Sequence, residues 1–391
     1  MNSDESTAHT IKSWLTGQGA AMRSALRTLV EQSSFTEDRD GVRLALDALE
    51  AELPSHWRRA RVASEAYGGH LVVHGARPAS EGGVVLVGHI DTVFPRDVFA
   101  GYREEGERAM GPGVLDMKGG LVVSAWGLRA AEATGRTMAP WSWVVVGDEE
   151  VGSPDSAATI RRVAKGAKCA LVFESGRAHD AIITRRKGTG TLFVTAHGVA
   201  AHAGNAHDRG RNALWSLARW IDAAQSLTDY ARGVTVNVGV VHGGTSKNTV
   251  PDRAVAEVDF RFVTADDRTW LALELERLAR ERATDGTRIE LVFGPGRAPL
   301  ERTDASAKLR DIYARFQRDS GLGDGECPLV GGGSDASTTS SDGIASIDAL
   351  GVRGEGFHTV REYAELRTLE AKAESLARFM SLGVDELVAA L

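Results

Sequence analysis

Apolar residues gather along the first half of this chain in short unbroken runs, each closing on a charged or glycine-bearing tip. Val84 to Val87 leads into Gly88-His89-Ile90-Asp91. Trp143 to Val146 leads into Gly147-Asp148-Glu149-Glu150, and Ala170 to Phe173 into Glu174-Ser175-Gly176. Apolar runs of roughly four to eight residues bounded by turn signals predict strands buried on both faces of a parallel sheet. Ala345 to Leu350 predicts another, ahead of Gly356-Phe357-His358. Helical spacing marks Thr7 to Gln32, Asp38 to Leu53 and Leu121 to Ala130, and Leu309, Ile312, Tyr313 and Phe316 mark a later helix. Strands and helices in alternation predict an α/β domain, its mainly parallel central sheet flanked by helices.

Between Lys187 and Gly294 the pattern changes. Thr191 to His197 predicts a strand, Asn212 to Leu227 a helix, and Thr235 to His242 and Ala254 to Val263 two strands. Arg268 to Ala283 then predicts a helix and Arg288 to Phe293 a last strand. That order, β-α-β-β-α-β, is the ferredoxin-like sandwich. It interrupts the larger domain, so residues 1–187 and 297–391 are expected to form one domain and residues 188–296 an inserted one.

The strand tips carry the chemistry. Residues two apart on an extended chain point the same way, so His89 and Asp91 emerge together. Ligand sites of open α/β sheets lie beyond the carboxyl ends of the strands, where this pair sits. Asp116, in the glycine-rich Gly111 to Gly120 loop, Glu149, Glu150, Glu174 and His358 end neighbouring segments. So much negative charge at one sheet edge is costly without a cation. Two histidines and three carboxylates suit zinc, with two ions sharing a carboxylate. Singly, each motif is weak; an H-x-D pair by itself is more often an ordinary strand-end turn.

Taken in order, the motifs resemble those of the co-catalytic dizinc metallopeptidase family of glutamate carboxypeptidases, aminoacylases, acetylornithine deacetylases and succinyl-diaminopimelate desuccinylases. The matching segments are Gly88-His89-Ile90-Asp91-Thr92-Val93, Asp116-Met117-Lys118-Gly119-Gly120, Asp148-Glu149-Glu150, Phe173-Glu174, His202-Ala203-Gly204, Asn248-Thr249-Val250-Pro251, Gly331 to Ala336 and His358. Phe94-Pro95 and Arg186-Lys187-Gly188-Thr189 most resemble the bacterial glutamate carboxypeptidase branch. The resemblance implies that Asp116 bridges two zinc ions, one completed by His89 and Glu174, the other by Glu150 and His358. It implies Glu149 as general base and acid, with Asp91 fixing the His89 tautomer. Cobalt or manganese are conceivable substitutes for zinc. His202 resembles the histidine that crosses a dimer interface to stabilise the oxyanion. Lys187, Asn248, Arg261, Arg297 and Ser334 resemble the residues that bind substrate, the cations receiving a carboxylate. At Ser334 the resemblance leads one to expect threonine, and this chain departs from it. His179, His197, His207 and His242 match no motif role.

Composition narrows the classes. The chain has 391 residues, 42% hydrophobic and 25% charged, which suits two soluble domains. A formal charge of −7 argues against broad nucleic-acid binding. Cys169 and Cys327 are too few for a disulfide framework and lack metal-ligand spacing. No apolar run approaches the roughly 20 residues needed to span a bilayer, and the acidic, polar start Met1-Asn2-Ser3-Asp4-Glu5 is unlike a secretory signal. A cytoplasmic location is the simplest expectation.

The expected activity is hydrolysis of an amide bond in a small molecule or short peptide, releasing an amino acid with a free carboxylate, C-terminal glutamate being favoured. Deacylation of an N-acyl amino acid is the alternative within the same ligand set. An inactive binding or scaffold protein of the same fold is the third reading, and every expected ligand position being filled argues against it. A homodimer through the inserted domain is expected.

Overall fold

The computed structural model describes residues 3–390. Their contacts divide them into two units. Of the described residues, one unit holds those up to Arg185 with Arg302–Leu329 and those from Ser334 onward; the other holds Arg186–Glu301 and Val330–Gly333. The second unit thus runs somewhat wider than the 188–296 expected. A mutual backbone pair between Arg186 and Leu300 closes its base, and the Lys187 N–H donates to Val330.

In the first unit a six-stranded sheet runs in the spatial order Arg58–Val62, His70–His74, Trp141–Val146, Val84–His89, Cys169–Val172, Ala345–Ile347. Only the pairings of His70–His74 are antiparallel; the other three are parallel. Strands Val84–His89, Trp141–Val146 and Cys169–Val172 are buried throughout, as continuous apolar runs require in a sheet covered on both faces. Their registers align the carboxyl ends. His89 pairs with Val146, and the Phe173 N–H donates to Val87. The three charged tips therefore leave one sheet edge side by side.

Helix Gly119–Glu132 is apolar nearly all round and buried nearly all round, packed against helix Arg367–Met380. At their crossing, a Cβ on Gly127 would come within 2.7 Å of Leu376, so the approach requires glycine. The expected helix Thr7 to Gln32 is two helices, Ser3–Thr16 and Gly19–Glu31. The break falls at Gly17-Gln18, where the N–H groups turn back to Trp14 and Leu15. Glycine weakens a helix interior by about 1 kcal/mol relative to alanine, which the apolar spacing alone does not reveal. Asp38 caps the next helix, Arg39–Ala51, by accepting the Gly41 N–H. Among the described residues no helix is long and apolar enough to cross a membrane.

The second unit runs strand Gly188–His197, helix Ala213–Gln225, strands Thr235–Gly243 and Arg253–Phe262, helix Ala265–Arg282 and strand Arg288–Arg297. Its antiparallel sheet is ordered Thr235–Gly243, Arg253–Phe262, Gly188–His197, Arg288–Arg297, the ferredoxin-like arrangement. Burial alternates with period two: Leu192, Val194 and Ala196 face inward, while Phe193 is exposed. The inward set joins Val258, Phe260, Leu217, Trp220, Leu271 and Leu275 in a core of its own. A small ladder pairs Ala201–His202 with Thr249–Val250.

Candidate metal centre

Five side chains from five segments converge at the carboxyl edge of the first unit's sheet. His89 ends its strand and is 1% exposed. Its Nε2 lies 3.3 Å from Asp116 Oδ1 and 3.7 Å from Glu174 Oε1. His358, in a left-handed turn with φ of 61°, places Nε2 3.3 Å from Asp116 Oδ2 and 3.1 Å from Glu150 Oε2. The two oxygens of Asp116 are thus divided between two histidines. Two clusters result, His89–Asp116–Glu174 and Asp116–Glu150–His358, each with its ligand atoms within 4.8 Å of one another.

Their electrostatics show how crowded the charges are. Burial opposes a charge on His89, yet Glu174, Asp116 and Asp91 hold its pKa well above the ordinary value. Hydrogen bonds to Asp116 and Glu150 raise His358 to about 10. Burial, then the Asp116 charge, pushes Glu174 up to about 7. Burial also raises Glu150, whereas the two histidines outweigh burial at Asp116 and keep it ionised. Burial and the crowding of carboxylates thus raise Glu150 and Glu174, an arrangement that favours a bound cation. Imidazole nitrogens and carboxylate oxygens around a shared aspartate suit zinc or a similar divalent ion, so the donor set fits the group the sequence suggested.

Asp91 is fully buried and serves twice. Its backbone carbonyl lies 3.0 Å from His89 Nδ1, nearer than its carboxylate at 3.5 Å. The carboxylate instead accepts the N–H of Glu149 through Oδ1 and the N–H of Glu150 through Oδ2, both at 3.2 Å. Thr36 donates to Oδ2 at 2.8 Å. With Nδ1–H committed to a carbonyl, Nε2 is the nitrogen left with a lone pair for a metal. Glu149 opens the short turn Glu149–Val151 immediately before Glu150. Ser334 is fully buried and donates to Asp348 Oδ2 at 2.6 Å, so its hydroxyl is committed within the unit.

The other candidates lie in the second unit. His202 is exposed, and its Nδ1 accepts the N–H groups of Gly204 and Asn205, both at 3.1 Å. With Nδ1 accepting, the neutral ring carries its proton on Nε2, a donor on an exposed residue. Asn248 stands beside it: the Ala203 N–H donates to the Asn248 carbonyl, and the Asn248 side chain accepts from Ser246. Arg261 forks onto Asp259, with Nε to Oδ1 at 2.8 Å and Nη2 to Oδ2 at 2.9 Å. Arg297 lies against Gly333, where a Cβ would come within 2.9 Å of its side chain. Lys187 is half-buried and immediately precedes strand Gly188–His197.

Sequence reasoning passed over Thr36, Lys118 and Glu362. Lys118 and Glu362 are fully buried. Lys118 donates to the carbonyl of Gln32, and Glu362 accepts three backbone N–H groups around Asp116. A charge inside the Asp116-Met117-Lys118 motif and a glutamate four residues after His358 were the available signals.

The sequence profile of the M20 peptidase dimerisation domain matches residues 184–287. Carboxypeptidase G2 of Pseudomonas sp. (strain RS-16) is 28% identical over 379 residues, covering 94% of this chain and 91% of that protein. Succinyl-diaminopimelate desuccinylase of Methylobacterium nodulans is 28% identical over 313 residues, 73% of this chain and 77% of its own length. The fold is similar to that of aminopeptidase PepT from Bacillus cereus, with a TM-score of 0.79 at 19% identity, covering 93% and 98% of the two chains. The sequence relatives place the chain among metal-dependent hydrolases of peptide or amide bonds. The chain is a homologue of the M20 metallopeptidases and carries their dimerisation domain.

Proposed function

We propose that this chain hydrolyses an amide bond to release an amino acid with a free carboxylate, C-terminal glutamate being the favoured case, and that it uses two zinc ions. The observation that carries this reading is the division of Asp116 between His89 and His358. His89, Asp116 and Glu174 would hold one ion, and Asp116, Glu150 and His358 the other. Zinc held there supplies a more acidic water and a polarised carbonyl. Glu149 would take a proton from the attacking water and pass it to the leaving nitrogen. Asp91 holds the Glu149-Glu150 turn and the His89 ring in place.

The second unit supplies recognition. His202 Nε2–H donates to the oxygen on which charge develops, serving the partner's site in a homodimer. Arg261, with Lys187 and Arg297, receives the carboxylate of the released amino acid, and Asp259 keeps the Arg261 fork oriented until then. Asn248 hydrogen-bonds the substrate, and Ser334 contributes through the glycine-rich loop whose end it anchors. Likeness to carboxypeptidase G2 over nearly the whole chain supports glutamate.

A panel of N-acylated glutamate, aspartate, ornithine and aromatic amino acids, assayed on zinc-loaded protein, tests the proposal. The highest kcat/KM should fall on the glutamate compounds. Preference for acyl-ornithine would replace this reading with a deacylase, and no turnover of any amide would leave a binding protein.

A further inference from the structure

Glu362 is an ionisable side chain with no exposure to solvent, and its carboxylate is spent on backbone. Oε1 accepts the N–H of Leu115 at 2.8 Å and of Asp116 at 3.0 Å. Oε2 accepts the N–H of Gly113 at 3.2 Å. These three donors belong to the loop that presents Asp116. Glu362 itself closes the turn that presents His358. The Thr359 N–H donates to the Gly356 carbonyl, the Thr359 hydroxyl does so at 2.7 Å, and the Glu362 N–H donates back to Thr359. Immediately beyond, Tyr363 pairs with Met110 and Ala364 with Ala109, a ladder that brings the two segments into register just outside the site.

We propose that Glu362 is a positioning residue for the metal centre, fixing the spacing between Asp116 and His358. The ladder at Tyr363–Glu365 sets the coarse register, and the carboxylate sets the last ångström. A carboxylate suits the task because two oxygens accept from three N–H groups, and such charge-assisted bonds are short and directional. An amide of the same size turns one oxygen into a donor that must face an N–H, leaving buried donors unpaired. His89 ends one strand of the main sheet and Glu174 follows the end of the adjoining one, so their spacing does not pass through Glu362. His358 sits on the same short segment as Glu362, so its distance to Asp116 does. The cluster Asp116–Glu150–His358 should depend on Glu362 more than the cluster His89–Asp116–Glu174.

This inference rests on the metal centre proposed above, and the test separates the two. Metal-free protein is titrated with cobalt(II), followed by visible absorption and calorimetry, for the wild type, Glu362→Gln and Glu362→Asp. Wild type should take two ions. Glu362→Gln should take the second ion at least about tenfold more weakly, with an altered absorption band, and the first with a smaller loss, as for partners that orient metal ligands. Glu362→Asp, which keeps the acceptors on a shorter arm, should fall between them, and it carries the same test should Glu362→Gln fail to fold by thermal melting. A folded variant that takes both ions with wild-type affinity and spectrum overturns the role given to Glu362, as does equal weakening of both. A wild type that takes no second ion overturns the metal centre itself.

Discussion

His89 Nδ1 faces the backbone carbonyl of Asp91 at 3.0 Å, while the Asp91 carboxylate turns to the N–H groups of Glu149 and Glu150. One residue thus orients an imidazole through its main chain and the Glu149 turn through its side chain. Asp91→Ala should therefore affect the turn more than the histidine, since the carbonyl survives the substitution. The expected outcome is a fall in kcat of tenfold or more, of the order seen when partners of metal-site residues are removed, with the first metal ion still bound. Loss of the first ion with the turn intact would mean that the carboxylate, not the carbonyl, holds His89.

Glu149→Ala should separate chemistry from metal binding. Glu149 precedes Glu150 in the turn, and only Glu150 falls within a ligand cluster. The variant should keep two ions and lose about 10²–10⁴-fold in kcat, the usual contribution of a general base. If it loses an ion and regains turnover when metal is added back, the two glutamates have exchanged roles.

Mixing His202→Ala with Glu149→Ala subunits should restore part of the activity. His202 is an exposed residue of the segment matched by the dimerisation domain, its Nδ1 already accepting two backbone N–H groups. One site of each hybrid dimer then holds both intact groups. Verified hybrids without rescue would place His202 in its own subunit's site or outside catalysis.

Arg261→Ala should cut kcat/KM by at least about tenfold for a substrate with a free α-carboxylate, since a charge-assisted fork is worth roughly 1.5–3 kcal/mol. The amidated counterpart should already be poor and lose little more. Equal losses on both substrates would show that Arg261 and Asp259 serve the fold and not recognition.

Without metal, the centre should lose stability as pH rises. His358 is raised from 6.5 to about 10, so its contribution is complete below pH 6.5 and lost through pH 10. Glu174 is raised from 4.5 to about 7, and its contribution is likewise lost as pH climbs through 7. Zinc replaces those protons. The gap in Tm between zinc-loaded and chelated protein should therefore widen from pH 6 to pH 9; a gap that narrows would contradict the assignment.

Much of this was legible in the chain because the parallel strands are buried on both faces, which leaves their polar tips conspicuous. Asp116, Glu150, Glu174 and His358 each stand at the end of an apolar run or a glycine-rich turn, and they converge as those positions imply. The inserted sandwich was legible because burial alternates strictly along strands such as Gly188–His197. The break at Gly17-Gln18 was not, since the apolar spacing continues through it. The commitments of Ser334 to Asp348 and Arg261 to Asp259 were not either, because a side chain's partner depends on packing that no local pattern encodes. Glu362 was hidden for a related reason: its partners are backbone N–H groups 246 to 249 residues away.

Metal content per chain across three variants tests the sharing of Asp116 most directly. Loaded with zinc and freed of excess, the wild type should retain two ions, His89→Ala and His358→Ala one each, and Asp116→Ala neither. Two ions retained by Asp116→Ala, or one by the wild type, would contradict a centre built on a carboxylate divided between His89 and His358.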